Sequence, residues 1–180
     1  MALPPVTPAR IAAAEKRGLV NVDEAARACR KAGLPFYAAC AVLEKETRGA
    51  NVWGRSDGPD ACFSQVPFPV KKDAFEVFYW QVTARGFQSN GVGPCQITFA
   101  GKLVSGKRNG GLFKEMLDQG LEPWDPEDNM TFGFTKLNQY YKSAGGSWIG
   151  AGRVYNGSTS YGEDLNKKVT AWHTLLQGIK

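Results

Sequence analysis

Residues 34–51, which read LPFYAACAVLEKETRGAN, constrain the fold of this chain more than any other stretch. Pro35 suits the first position of a helix, and Gly49 suits the residue that ends one in the left-handed region. Between them, apolar residues recur at i, i+3, i+4 and i+7, which predicts a helix with one buried face. These residues are Phe36, Ala39, Cys40 and Leu43.

Glu46 continues the apolar stripe of this helix, whereas Glu44 lies four residues before Arg48, the spacing of a solvated surface pair. Burial and the negative end of the helix dipole both disfavour the charged form of Glu46, so its pKa should rise. A carboxylic acid that stays protonated near neutral pH can act as a general acid. The alternative is a glutamate at a frayed helix end that only bonds a neighbour.

Capping signals predict further helices on both sides of this one. An N-cap residue followed by proline opens a helix at Thr7-Pro8 and again at Asp125-Pro126. Capping boxes are predicted at Asn21 with Glu24 and at Ser160 with Glu163. The predicted helices cover about 8–17, 22–32, 73–84, 112–117, 126–142, 148–155 and 161–178. Residues 52–60 and 86–93 are expected to be turns and loop, so the predicted fold class is mainly α.

Composition places the chain among globular proteins, with 43% hydrophobic and 22% charged residues in 180. We find no repeat and no linker, which predicts one domain over residues 1–180. No apolar run approaches the length of a membrane span, and the N-terminus lacks the pattern of a signal peptide. The net charge of +5 is scattered, with no basic run longer than Lys71-Lys72 or Lys167-Lys168, so nucleic acid is not the expected partner.

The four cysteines and the single histidine argue against a structural zinc site, because no CxxC pair is present. Two disulfides could form, but four reduced cysteines that pack as small apolar side chains are favoured. The cysteines are Cys29, Cys40, Cys62 and Cys95.

Four segments, in order, resemble motifs of the soluble lytic transglycosylases and goose-type lysozymes, within the lysozyme-like superfamily. Glu46–Asn51 is similar to the Glu-Ser-x-x-x-Asn motif that holds the catalytic acid, and Gly91–Ile97 to the Gly-x-Gly-Leu-Met-Gln-Ile loop. Asp125–Gly133 resembles the Asp-Pro-Glu-x-Asn-Ile helix start, and Val154–Gly157 the Ala-Tyr-Asn-x-Gly motif on which substrate rests. The resemblance implies an α+β lysozyme-like fold with a core over about 20–178.

The chain also departs from these motifs. Thr47 replaces serine, Pro94-Cys95 replaces Leu-Met, and Val154 replaces alanine. The 49 residues between Glu46 and Gln96 exceed the expected spacing, which implies an inserted loop and helix region at about 61–90 between the helix of the catalytic Glu and the glycine-rich loop.

The resemblance implies cleavage of the β-1,4 bond between N-acetylmuramic acid and N-acetylglucosamine in peptidoglycan, with Glu46 as acid and base. A lytic transglycosylase needs only this glutamate and forms a 1,6-anhydro product. A hydrolysing muramidase would add a second carboxylate, for which Asp57 and then Asp60 are candidates; Asp57 is otherwise a turn residue. No metal or cofactor is implied.

Three further residues are expected to support substrate binding. Tyr155 would steady the acid or the developing positive charge, unless it only packs on the core, and Asn156 would bond an N-acetyl group. Gln96 would line the cleft or satisfy backbone groups in the glycine-rich turn. The expected protein is a monomeric phage endolysin or virion lysin made without a signal peptide, with glycan strands as its partner. It would reach the wall by holin-type release or with the particle, without inserting into the membrane.

Other functions stay open at this point. A wall cysteine peptidase or amidase would need Cys40 or Cys95 with His173. A wall-binding module without catalysis is the third class. Three aromatic residues could stack on sugar rings, although aromatic residues are more often core. The candidates for stacking are Trp53, Trp80 and Tyr161.

Overall fold

The computed structural model describes residues 5–56 and 69–179, and this part of the chain is mainly helical, as predicted. Eight helices and one two-stranded sheet are present in it. In chain order they are α1 (Pro8–Lys16), α2 (Val22–Ala32), α3 (Phe36–Glu46), β1 (Trp53–Ser56), α4 (Lys72–Arg85), β2 (Asn90–Val92), α5 (Gly111–Asp118), α6 (Pro126–Ser143), α7 (Trp148–Asn156) and α8 (Thr159–Gln177).

Three of the helices begin at the side-chain caps expected of their sequence. Thr7 accepts a hydrogen bond from the Arg10 amide at α1, and Asp125 accepts one from the Asp128 amide at α6. Ser147 caps α7 in the same way. Each cap satisfies an amide that would otherwise be orphaned at a helix start, which is why these boundaries can be predicted locally.

Both predicted capping boxes are wrong. Asn21 has φ 53° and its amide donates 2.8 Å to the Gly49 carbonyl, so its side chain ties α2 to the turn after α3. The helix α8 begins two residues early, after Ser158, whose hydroxyl lies 2.8 Å from that of Ser160. At Asn21, a long-range hydrogen bond to Gly49 replaces the capping box. At Ser160, a contact with the nearby Ser158 hydroxyl replaces it.

The small sheet contradicts the prediction of turns and loop on both sides of the 61–90 region. β1 and β2 pair antiparallel, with Trp53 opposite Val92 and Ser56 opposite Asn90. Asn90 is fully buried and its amide donates 3.0 Å to the Gly54 carbonyl. Strands of four and three residues are too short to show a clear alternation of apolar and polar side chains. They are stabilised by a partner strand in which the bonded residue is 36 positions away, which no local pattern indicates.

Helix α3 lies at the centre of the core and is buried on most sides, not on one stripe. Phe36 and every residue from Ala38 to Leu43 are buried, as expected for a helix that is apolar all round. It packs against α2 and α8. Pro35 stands one residue earlier than predicted, at the N-cap. Packing against α2 and α8 therefore fixes the position of Glu46, the last residue of α3.

Helices α6 and α7 complete a helical layer with α2 and α8, the two helices that pack on α3. α2 packs on α6, and α7 packs on both α6 and α8. The crossing of α7 and α8 is close, because a Cβ atom at Gly152 would lie 2.7 Å from the Gly162 Cα. The predicted helix in the 61–90 region is confirmed as α4, whose Phe75 and Phe78 are buried; residues 61–68 lie outside the described residues.

One apolar core extends through the described residues and includes side chains from all eight helices and both strands. The limits of a single catalytic domain and of an insertion remain predictions. No helix in the described ranges is both long and apolar enough to cross a bilayer.

Candidate functional site

A cleft of about 540 Å³ brings together four of the predicted site residues. Glu46 from α3, Gln96 from the loop after β2, and Tyr155 and Asn156 from the end of α7 all line it. Asp57 and Asp60, the candidates for a second carboxylate, lie outside the described residues. Among the described lining residues, Glu46 is the one carboxylate.

Glu46 is partly buried at the C-terminal end of α3, where it faces the cleft. Its Oε1 atom accepts a short hydrogen bond from the Tyr161 hydroxyl. Within the part of the chain that is described, Oε2 makes no hydrogen bond. Burial raises the pKa of Glu46, while the Tyr161 hydrogen bond and the charge of Lys45 act in the opposite direction. The predicted rise is therefore confirmed in direction.

Lys45 brings a positive charge close to this carboxyl without bonding it. Its Nζ atom lies 2.5 Å from Asp164 Oδ2 and 4.3 Å from the centroid of the Tyr161 ring. Asp164 therefore holds the ammonium group over the ring whose hydroxyl bonds Glu46. Lys45 and Glu46, which are adjacent in α3, therefore contact Asp164 and Tyr161, which lie three positions apart in α8.

Tyr155 does not hydrogen-bond Glu46, contrary to the expectation that it steadies the acid directly. Its hydroxyl donates 2.8 Å to the Cys95 carbonyl, and its ring stacks on that of Tyr161 with centroids 6.2 Å apart. Burial raises the pKa of both tyrosines, so both hydroxyls remain donors. Tyr155 supports the cleft wall, and Tyr161 contacts the acid.

The sequence predicts Tyr161 only as a stacking or core residue, not as a partner of the acid. It lies in the first turns of α8, six residues after Tyr155, and no motif quoted above includes it. The available sequence signal for Tyr161 was a tyrosine next to Gly162 in the first turn of a predicted helix. Its contact with Glu46 spans 115 positions, which no local pattern encodes.

Gln96 both lines the cleft and satisfies backbone groups, as the two predicted roles required. Its amide donates 2.8 Å to the Gly93 carbonyl and 3.2 Å to that of Val52. A Cβ atom at Gly54 would lie 1.7 Å from Gln96 Oε1, and one at Gly91 would lie 2.4 Å from it. Two glycines on the paired strands therefore make room for this side chain.

Asn129 is a supporting residue that was quoted only as part of a motif. It is fully buried in α6, and its Oδ1 accepts a hydrogen bond from the Cys95 amide at 3.0 Å. Its amide donates to the carbonyls of Val92 and Pro123 at 3.0 and 3.3 Å. Asn129 therefore holds the loop that places Gln96 and Cys95 beside Glu46.

The prediction that Glu44 points to water beside Arg48 is wrong. Glu44 is half-buried and accepts hydrogen bonds of 2.8 Å from Lys168 and 2.6 Å from the Trp172 indole. These two hydrogen bonds and the Lys168 charge hold its pKa below the ordinary value, against the opposing effect of burial. The two glutamates of α3 thus have opposite environments: Glu44 is bonded by Lys168 and Trp172 of α8, and Glu46 faces the cleft.

Polar groups also line the outer part of the cleft. Asn156 is exposed at the end of α7, where its amide can meet a ligand. Lys136 from α6 lines the cleft too, but its charge is paired with Glu115 at 2.6 Å. In the described part of the chain, no three metal-ligating side chains gather.

The described cysteines and the histidine do not form a nucleophilic pair. Cys40 and Cys95 are buried and unbridged, as is Cys29, and burial raises the pKa of their thiols. His173 lies on α8 against the Tyr37 ring, with centroids 4.6 Å apart, and contacts Gln177. It hydrogen-bonds neither thiol, so the geometry does not favour a cysteine peptidase.

Two of the aromatic candidates for sugar stacking lie away from the cleft. Trp53 is buried and packs on Phe78, with centroids 5.0 Å apart. Trp80 is exposed on α4 beside Arg85 and does not line the cleft. Phe99, which was not predicted, is exposed at the cleft edge.

Comparison of the chain with protein-family models, with curated proteins and with solved structures gave no match to any of them.

Proposed function

We propose that this protein cleaves peptidoglycan glycan strands at the bond between N-acetylmuramic acid and N-acetylglucosamine, with Glu46 as the general acid and base. The observation that carries the proposal is a partly buried carboxyl with a raised pKa, facing a cleft of about 540 Å³ and bonded by Tyr161 through one oxygen. The order of the four motifs supports the lysozyme-like family as the source of this arrangement.

The first step of the proposed reaction breaks the bond between the anomeric carbon and the glycosidic oxygen. Protonated Glu46 gives its proton to that oxygen, from Oε2, the atom left without a hydrogen bond among the described residues. The resulting carboxylate accepts the Tyr161 hydrogen bond and lies near the Lys45 charge, and both favour the ionised form.

In the second step, Glu46 removes a proton from the group that attacks the anomeric carbon. For the lytic transglycosylase that we favour, this group is the 6-hydroxyl of the muramic acid, and the product is a 1,6-anhydro sugar. The alternative is a water molecule, with Asp57 as second carboxylate, which gives a reducing end.

Paired substitutions in α3 test the role of Glu46. Glu46→Gln removes the proton donor but keeps an acceptor for Tyr161, and it should lower the rate of fragment release from purified peptidoglycan roughly 10²- to 10⁴-fold. Glu44→Gln is the matched control, two residues away and bonded to α8, and it should retain most of the activity.

Undiminished release by Glu46→Gln would contradict the catalytic assignment. Binding of peptidoglycan by wild-type protein without any release would favour a wall-binding module. Loss of release by His173→Ala alone would support the cysteine peptidase. Delivery to the wall as an endolysin or virion lysin, and a monomeric state, remain predictions.

A further inference from the structure

A second groove, of about 660 Å³, opens beside the cleft and shares Phe99 with it. Its lining comes from the segment between β2 and α5. We call it the basic groove; it is lined chiefly by Phe99, Lys102, Val104, Lys107, Arg108 and Asn109. None of the residues used in the proposed reaction lines it.

The groove carries uncompensated positive charge. The sequence has no Asp or Glu between Glu76 and Glu115, and no carboxylate lines the groove among the described residues. Lys102 and Lys107 are exposed and form no ion pair with any described residue. Lys136, on the cleft side, is instead neutralised by Glu115. An anionic ligand would therefore be attracted to the groove.

Arg108 adds a third positive charge and stabilises the groove wall by hydrogen bonds. Its Nε donates 3.1 Å to the Phe87 carbonyl and its Nη1 donates 2.9 Å to that of Gly101. Carbonyl partners fix the guanidinium without cancelling its charge. The backbone amide of Arg108 also donates 2.9 Å to the Thr83 carbonyl of α4, so Arg108 attaches the groove wall to the end of α4 through both its backbone and its side chain.

A tight turn fixes the position of Lys107. Val104 and Lys107 exchange backbone hydrogen bonds of 2.8 and 3.0 Å, and the two residues between them, Ser105 and Gly106, have φ of 49° and 76°. Positive φ at both central residues is typical of a two-residue hairpin. The groove is therefore formed before any ligand arrives, which lowers the entropic cost of binding.

The groove also presents apolar surface. Phe99 is 54% exposed and Val104 is 68% exposed. Phe99 stands between the groove and the cleft that holds Glu46. A matching ligand would carry carboxylates and small alkyl groups and would be joined to whatever occupies the cleft.

We infer that the basic groove binds the carboxylates of the peptide attached to N-acetylmuramic acid, an inference that rests on the proposed function. In peptidoglycan this peptide branches from the muramic acid beside the cleaved bond and carries both free carboxylates and methyl groups. A strand in the cleft would thus direct its peptide past Phe99 towards Lys102 and Lys107. The protein would then prefer glycan strands with peptides to naked strands.

Binding of labelled glycan strands, measured by fluorescence anisotropy, tests this preference. All proteins carry Glu46→Gln so that the strands remain intact, and the strands are prepared with and without their peptides. Lys102→Ala combined with Lys107→Ala should raise Kd for peptide-bearing strands roughly 3- to 30-fold, as expected for two exposed ion pairs. Kd for naked strands should not change.

Lys16→Ala combined with Lys142→Ala is the matched control, because it removes the same charge from exposed helix ends that line neither cavity. Equal Kd changes on both kinds of strand, or no change on either, would overturn the inference. Strands that carry a phosphate polymer in place of peptides are the third substrate, and a loss of binding confined to them would also overturn the inference. Because binding does not need cleavage, failure of the proposed function would appear separately, as absent release by the protein with Glu46 intact.

Discussion

At the residue scale, the pKa of Glu46 results from opposing contacts made by several elements. Burial raises it, while Tyr161 and Lys45 lower it; Tyr155 and Cys95 are two further titratable groups close to it. The burial was predictable, because Glu46 lies on the apolar stripe of α3. The contact with Tyr161 was not, since it depends on how α8 crosses α3.

Lys45→Met should move the alkaline limb of the pH–activity profile to higher pH. The Lys45 charge lowers the pKa of Glu46, so its removal leaves the acid protonated to higher pH, while the methionine keeps the apolar stem over Tyr161. The profile for fragment release measures the shift. Lys167→Met, an exposed substitution on α8, should leave the limb in place. An unmoved limb in Lys45→Met would show that this charge does not tune the acid.

The raised pKa of Glu46 also predicts how stability changes with pH. The folded state holds the proton more tightly than the unfolded chain, so Glu46 lowers the free energy of unfolding as pH rises from the ordinary Glu value through the raised one. Glu46→Gln has no such proton and should gain stability relative to wild type across that window. Urea unfolding at a series of pH values measures the difference, and a constant difference would contradict the prediction.

At the element scale, the loop from Gly91 to Ile97 owes its shape to groups far away in sequence. The sequence predicts its turn character and the start of α6, because both depend on local chemistry. It does not predict the pairing of β1 with β2, nor the insertion of Gln96 between two glycines. These features depend on backbone groups that meet only when α6 packs beside the loop.

Asn129→Leu should destabilise the protein by about 2–5 kcal/mol and also reduce activity. The substitution leaves the Cys95 amide and the Pro123 carbonyl without a partner among the described residues, while the Val92 carbonyl keeps the Ile97 amide at 3.1 Å. Each buried group left without a partner costs about 1–3 kcal/mol. Asn138→Leu is the matched control, because Asn138 is also buried in α6 but bonds the carbonyls of Ala32 and Gly33.

Chemical denaturation and fragment release, measured well below the unfolding temperature, separate the two effects. Both asparagine variants should lose stability, and Asn129→Leu alone should lose activity in its folded state. Equal activity of the two folded variants would argue that Asn129 does not shape the site.

At the scale of the whole molecule, the sequence predicted a mainly helical chain, and the described residues confirm it. Side-chain caps mark the starts of α1, α6 and α7, and apolar periodicity predicts α3 and α4, so local signals suffice for that result. The residues of the site were predicted less completely. Four predicted residues meet in one cleft, but Tyr161, Lys45 and Asn129 had to be found from tertiary contacts, and Asp57 lies outside the described residues.

Mass spectrometry of the fragments released from purified peptidoglycan tests the central claim most directly. We predict disaccharide–peptide products with 1,6-anhydro ends, lighter by one water than hydrolysis products, from wild type and not from Glu46→Gln. Ordinary reducing ends that depend on Glu46 would retain the acid but replace the transglycosylase with a muramidase and make Asp57 the next residue to substitute. Cut peptides with intact glycan strands would contradict the account.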